Sequence, residues 1–122
     1  MKLFLCVLML SGLVITAFAA DVSGQWQGDF TPENGDGGQG YLILKQSGTE
    51  LTGSGGPDAN EQWPLSNGKI VGNKITGEVK DPNGVLYKLN LVLDGDHIKG
   101  EILVTSPDGQ SQKAKFDVTR VK

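Results

Sequence analysis

Gly95-Asp96-His97-Ile98-Lys99-Gly100-Glu101 is the third copy of a short cassette, after Gly48-Thr49-Glu50-Leu51-Thr52-Gly53-Ser54 and Gly72-Asn73-Lys74-Ile75-Thr76-Gly77-Glu78. Each copy reads Gly, two polar residues, an aliphatic, Thr or Lys, a second Gly, then Ser or Glu. Successive copies begin about two strands and a turn apart, the spacing of hairpins in a meander. The register around the third copy decides the fold. A type I′ turn at Asp94-Gly95 pairs Leu91 with Ile98, Leu89 with Gly100, Tyr87 with Ile102 and Val85 with Val104, all on one apolar face. Moving the turn to Gly95-Asp96 keeps the parity, whereas a three-residue loop mixes the faces. The first copy fits a turn at Ser47-Gly48 with Leu44 opposite Leu51. The second fits Gly72-Asn73 with Ile70 opposite Ile75.

Outward from the cassettes, the chain shows no helical period over the ten or more residues a helix needs, and glycines recur every few residues. Strand one is Val22 to Phe30, with Val22, Gly24, Trp26, Gly28 and Phe30 on one face and polar residues on the other. Thr31–Gly38 is a polar loop. Gln39–Gln46 is a strand apolar on both faces, and Leu51–Ser54 follows the first turn. Gly55–Asn60 reads as a second loop. Gln62–Leu65 is a short strand whose Pro64 suits an edge or a bend, Ser66-Asn67-Gly68 a turn, and Lys69–Val71 a brief pairing segment. Lys74–Lys80, Val85–Leu93, Ile98–Thr105 and Gln110–Val121 complete about eight strands. Asp81-Pro82-Asn83-Gly84 and Ser106-Pro107-Asp108-Gly109 carry the same turn chemistry.

The second Gly of each cassette falls two residues past the aliphatic and so faces inward. Inward glycines in strands mark sharp coiling, or room for a large neighbour such as Trp26, Tyr87, Phe30 or Phe116. The expected fold is all-β: an antiparallel up-and-down meander of about eight strands coiled into a small barrel.

Residues 1–19 read as a signal peptide. Lys2 precedes a mostly apolar run from Leu3 to Phe18, and Ala17-Phe18-Ala19 has the small-x-small form of a cleavage site, with Ala20 the near alternative. The run is short for a membrane span, and Cys6 lies too early for a lipid-bearing cysteine at the cut. The chain is therefore expected to be secreted or periplasmic, with 20–122 as one domain and no membrane span after processing. That domain holds ten basic and fourteen acidic residues and no cysteine. No disulfide can staple it, so burial and strand pairing must stabilise it. Its acidity and lack of a basic stripe argue against nucleic acid as a partner.

Several stretches, Ser23-Gly24-Gln25-Trp26, Leu51-Thr52-Gly53, Ser66 to Ile75 and Gly95 to Gly100, together with the Thr119-Arg120-Val121-Lys122 tail, resemble a group of small secreted bacterial proteins. The shared residues are turn chemistry, so the resemblance implies a fold and no ligand. At fold level the Gly-x-Trp of strand one and the Leu-Thr-Gly of the first cassette are similar to avidin- and lipocalin-type barrels. Avidin-like sites wall in biotin with tryptophans from later strands, and none follows Trp63 here; biotin is not expected.

Candidate chemistry is sparse. His97, the one histidine, sits at a turn beside Asp96, where a polar residue is expected on structural grounds; a metal site needs three or more converging ligands, and a catalytic His needs a pocket and an orienting partner. Glu33–Gly38 has the composition of a calcium loop without its spacing. Glu78 and Glu101 face outward by parity. No Gly-x-Ser-x-Gly elbow or cysteine nucleophile is present. The aromatics carry the binding signal: Trp63 at a barrel mouth, and Trp26 and Tyr87 lining an interior left roomy by glycine, against the plain alternative that they fill the core. The expected function is a non-enzymatic secreted binding module for a small apolar or amphipathic molecule or a partner protein, with no cofactor and no metal. Two alternatives stand beside it: an interaction or inhibitor protein using the 31–38 and 55–63 loops, and a small barrel enzyme using carboxylates and His97.

Overall fold

The computed structural model describes residues 21–122, and the expected leader lies outside the described residues. Eight strands follow one another: β1 (Gly24–Pro32), β2 (Gly38–Ser47), β3 (Glu50–Asp58), β4 (Glu61–Val71), β5 (Lys74–Lys80), β6 (Leu86–Asp94), β7 (His97–Thr105) and β8 (Ser111–Arg120). Each pairs antiparallel with the next, and β8 returns to β1 to close the barrel. Closure runs from Trp26 opposite Arg120 to Pro32 opposite Ala114. Among the described residues it leaves no free strand edge. Among the described residues no helix is long and apolar enough to cross a membrane, a statement that does not extend to strands.

The up-and-down order sorts the connections onto two ends. The three cassette turns, Gly48-Thr49, Gly72-Asn73 and Gly95-Asp96, lie at one end together with both ends of the described chain. The opposite end carries loop Glu33–Gly37, turn Ala59-Asn60, and the connections Asp81–Val85 and Ser106–Gln110. We refer to these as the cassette end and the loop end.

The cassette half is packed solid. The largest side chains less than 2 % exposed are Trp26, Ile75, Leu91, Ile98, Val22 and Val118, each contributing roughly 1.5–3 kcal/mol of gross burial. Val22 precedes β1 and plugs this end; its N–H donates to Gln46 Oε1 at 3.0 Å. Trp26 Nε1 donates to the Val22 carbonyl at 3.0 Å, satisfying the fully buried indole. The Arg120 guanidinium lies 4.3 Å from the Trp26 ring centroid. Its Nη1 and Nη2 donate to the carbonyls of Ser23 at 2.8 Å and Asp21 at 3.0 Å. One side chain from the last strand thus ties the first strand and the segment before it. The Ser23 backbone N–H, with the Ser23 hydroxyl and the Arg120 charge, holds the Asp21 carboxyl below the usual carboxylate range.

The register agrees with the inferred parity and shifts the turns. The third hairpin turns at Gly95-Asp96, pairing Leu93 with Ile98, Leu91 with Gly100 and Leu89 with Ile102. The first turns at Gly48-Thr49, so Leu44 faces Gly53, not Leu51. The second turns at Gly72-Asn73 with Ile70 opposite Ile75. In all three the leading Gly has φ between +63° and +65° while the residue after it stays at negative φ. That is the type II′ pattern, in place of the type I′ turn expected for Asp94-Gly95, because each cassette puts its Gly at the first central position.

Two segments depart further from the sequence reading. Gly55–Asn60 is not a loop: β3 runs to Asp58, and a two-residue turn leads into β4. Asp58 Oδ1 accepts from the N–H groups of Asn60 and Glu61, both at 2.9 Å, and so sets that turn. The two short strands expected at 62–65 and 69–71 form one strand, β4. The register shifts between Ser66 and Lys69, where Asn67 adopts φ 55°. The extra residue of this bulge absorbs what reads as a turn. Pro64 therefore lies inside a closed barrel, at an outward position opposite Ser54, next to irregular pairing.

The glycines act in two ways, and Gly53 of the first cassette is exposed where an inward position was expected. Gly53 has φ +135°, and a Cβ there would overlap the Ile43 carbonyl of the neighbouring strand, so it permits a bend no other residue accepts cheaply. Gly40 instead yields space: a Cβ there would overlap the Phe116 ring from β8.

Candidate functional site

The loop half of the barrel is not filled. Inward positions there carry Phe30, Trp63, Val79, Tyr87, Leu89 and Phe116, in pairs set by register: Phe30 opposite Phe116, Val79 opposite Tyr87, Leu89 opposite Ile102. Trp63 pairs with Gly55, where a Cβ would come within 3.1 Å of Leu42 Cδ2 and 3.5 Å of Val79 Cγ2, so the glycine lets these two side chains close in beside the indole. The result is a cavity of about 150 Å³, lined mainly by carbon and reaching the loop end.

Its walls are held from outside. Gln62 Nε2 donates to the Tyr41 carbonyl at 3.1 Å and the Asp58 carbonyl at 2.9 Å, and Gln62 Oε1 accepts from Ser54 Oγ at 2.6 Å. One amide thereby clamps β2, β3 and β4 where Trp63 enters. Tyr41 faces outward, yet it is only 7 % exposed; its hydroxyl donates to Gln25 Oε1. That resolves the two-sided apolar run of β2: Leu42 and Leu44 point inward, and Tyr41 is covered by glutamines.

Tyr87 is the hinge between cavity and loop. Its ring meets Phe30 edge to face, with centroids 6.4 Å apart and planes at 67°. Its hydroxyl donates to Asp81 Oδ2 at 3.2 Å. Asp81 Oδ1 accepts from the N–H groups of Asn83 at 2.9 Å and Val85 at 3.0 Å, so the same carboxylate orders the β5–β6 loop. Burial pushes the Tyr87 phenol up to about 12, with the Asp81 charge and the hydrogen bond adding to it.

The three aromatics singled out from sequence divide between the ends. Trp63 and Tyr87 both line the cavity. Trp26 does not: it is fully buried at the cassette end beneath Arg120. Phe30 and Phe116 belong to the cavity although sequence pointed to them only as bulky residues. Their signal was alternation with Gly28 and Ala114, but the meeting of Phe116 with Gly40 across β1 has no sequence signature. The polar candidates lie elsewhere. His97 opens β7 at the cassette end, half exposed, with Nδ1 3.1 Å from Asp117 Oδ1. Glu78 and Glu101 border an open groove on the outer face that runs from Asn67 of β4 to Lys113 of β8. Glu33 Oε1 accepts from the Lys113 N–H at 3.0 Å, tying the β1–β2 loop to β8. Among the described residues no group of three or more His, Cys, Asp or Glu is placed to hold a metal ion.

Fold and cavity together define a class: small, closed, eight-stranded antiparallel barrels with one packed end and one apolar mouth. No protein-family model and no curated protein matches the sequence. Among solved structures the chain is similar to a redesigned β-barrel, with a TM-score of 0.58 over 83% of this chain and 92% of that one, at 18% identity. At that identity the likeness is one of fold.

Proposed function

We propose that the protein is a non-enzymatic binding module, exported by its N-terminal leader to the periplasm or medium, that takes a small apolar or amphipathic molecule through the loop end. The cavity between Trp63 and Tyr87 carries this reading. Burial of a ligand's apolar part against aromatic walls supplies the driving force, at roughly 25 cal/mol per Å² of apolar surface. Apolar cavities of about 150 Å³ stay dry and accept a single ring. A longer ligand would therefore seat one ring or a short alkyl segment and leave the rest at the mouth. The resemblance to small secreted bacterial proteins agrees with export but names no ligand.

The test is mass spectrometry of natively purified protein for a retained ligand, followed by calorimetric titration with n-octanol. Trp63→Ala removes a cavity wall without touching the packed half, so octanol affinity is expected to fall about tenfold, a loss of about 1.4 kcal/mol. Thermal unfolding of the variant would verify its fold. Equal octanol binding by wild type and Trp63→Ala would place the ligand elsewhere.

A further inference from the structure

Charge is distributed unevenly between the two ends. The loop-end connections and the four strand residues nearest each of them carry Asp29, Glu33, Asp36, Asp58, Glu61, Glu78, Asp81 and Asp108 against Lys80, Lys88 and Lys113. The cassette end, with both chain ends, carries Asp21, Glu50, Asp94, Asp96 and Asp117 against Lys45, Lys69, Lys74, Lys99, Arg120 and Lys122. Pairing follows the same division. Among the described residues the ion pairs are His97–Asp117, Lys99–Asp94, Arg120–Asp96 and Lys113–Glu101. Three are at the cassette end, one is on the outer wall, and none includes a loop-end carboxylate. The loop end, where the apolar, aromatic-lined cavity opens, thus carries an excess of acids that accept hydrogen bonds from neutral donors and have no cationic side chain as an ion-pair partner.

We infer that the ligand of this cavity is a cationic amphiphile, an alkyl- or aryl-amine whose apolar part enters between Trp63 and Tyr87 while its ammonium stays at the acidic mouth. The inference rests on the binding reading above and names its ligand class. Each half has a physical reason. Aromatic faces attract an adjacent cation through their quadrupole, Trp most strongly. A ring of like charges around a low-dielectric opening focuses its field there, drawing in cations and repelling carboxylates of equal hydrophobicity. Asp81 is the acid closest to the chemistry, since its Oδ2 already accepts from the Tyr87 hydroxyl on the cavity wall. The cavity's size fits a short chain or ring and favours a small amine over a basic protein.

The experiment is calorimetric titration of the folded barrel with n-octylamine, n-octanol and octanoate at neutral pH, in about 20 mM and about 500 mM salt. Octylamine is expected to bind about tenfold more tightly than octanoate, with octanol between, and high salt to narrow the gap. A triple variant, Glu33→Gln, Asp36→Asn and Glu61→Gln, keeps side-chain shape and is expected to bring octylamine toward octanol several-fold without changing octanol itself. Its thermal transition verifies the fold. Binding of all three ligands with equal affinity overturns the amine preference and leaves the cavity reading standing. Binding of none overturns both. Capture of a lysine-rich peptide that octylamine cannot displace would assign the acidic mouth to a protein partner and likewise overturn the inference.

Discussion

Arg120 joins three parts of the molecule: it covers the Trp26 ring, bonds two carbonyls of the segment before β1, and sits 3.7 Å from Asp96 in the third cassette turn. Arg120→Ala is expected to cost about 2 kcal/mol in urea unfolding, because it removes charged hydrogen bonds and cation–π contact together. Lys in its place should recover only part of that, since one ammonium cannot reproduce the planar fork. At the other end, Tyr87 couples stability to pH. Its folded-state pKa of about 12 lies above the ordinary tyrosine value of 10.0, so the neutral phenol is the form that folding favours. The stabilisation is fully present below pH 10 and is lost as pH rises toward 12. Tyr87→Phe should be less stable near neutral pH and should lack the component of alkaline destabilisation that the wild type shows; unfolding curves of both proteins across that range measure it. Parallel curves would mean that folding does not favour the neutral Tyr87 phenol.

Among the elements, β4 shows where reading from sequence stops and why. Alternation around the cassettes gave the faces of β5, β6 and β7, because half-burial penalises any one-residue slip. Ser66-Asn67-Gly68 has the composition of a turn, and only the neighbours on both sides decide that it is a bulge inside a continuous strand. The Gly55–Asn60 stretch misleads similarly: its glycines serve as small inward or close-packed strand positions, not as loop hinges. The bulge makes a definite prediction. Asn67 holds φ 55°, a region Asn tolerates and β-branched residues do not. Asn67→Gly should stay within about 0.5 kcal/mol of wild type, and Asn67→Val should lose about 1–2 kcal/mol by chemical denaturation. Similar stability for both variants would show that the bulge relocates.

For the molecule as a whole, closure joins the first strand to the last, a pairing of residues some ninety positions apart. Gly28 sits at that seam, where a Cβ would overlap the Asp117 carbonyl. Gly28→Val is expected to cost more than about 2 kcal/mol and to expose the edges of β1 and β8, which light scattering would register as association. A monomeric variant of undiminished stability would contradict this. The barrel was legible in sequence because it rests on local patterns, turn glycines and alternating faces. Which half is hollow was not, because that depends on contacts such as Phe116 with Gly40 that cross a strand and leave no spacing in the chain. Trp26 shows the same limit, since its parity gave the inward direction but not the end of the barrel it would fill.

Both ends of the described chain leave the barrel beside the cassette turns, with Asp21 bonded to Arg120 and Lys122 just beyond β8. Anything attached through Asp21 or Lys122 is therefore held on the side away from the mouth. Tethered to a bead or fused to a reporter, the domain would present its cavity to solution with the aromatic opening unobstructed. The fold thus suits display through the cassette end, with the aromatic opening turned to solution.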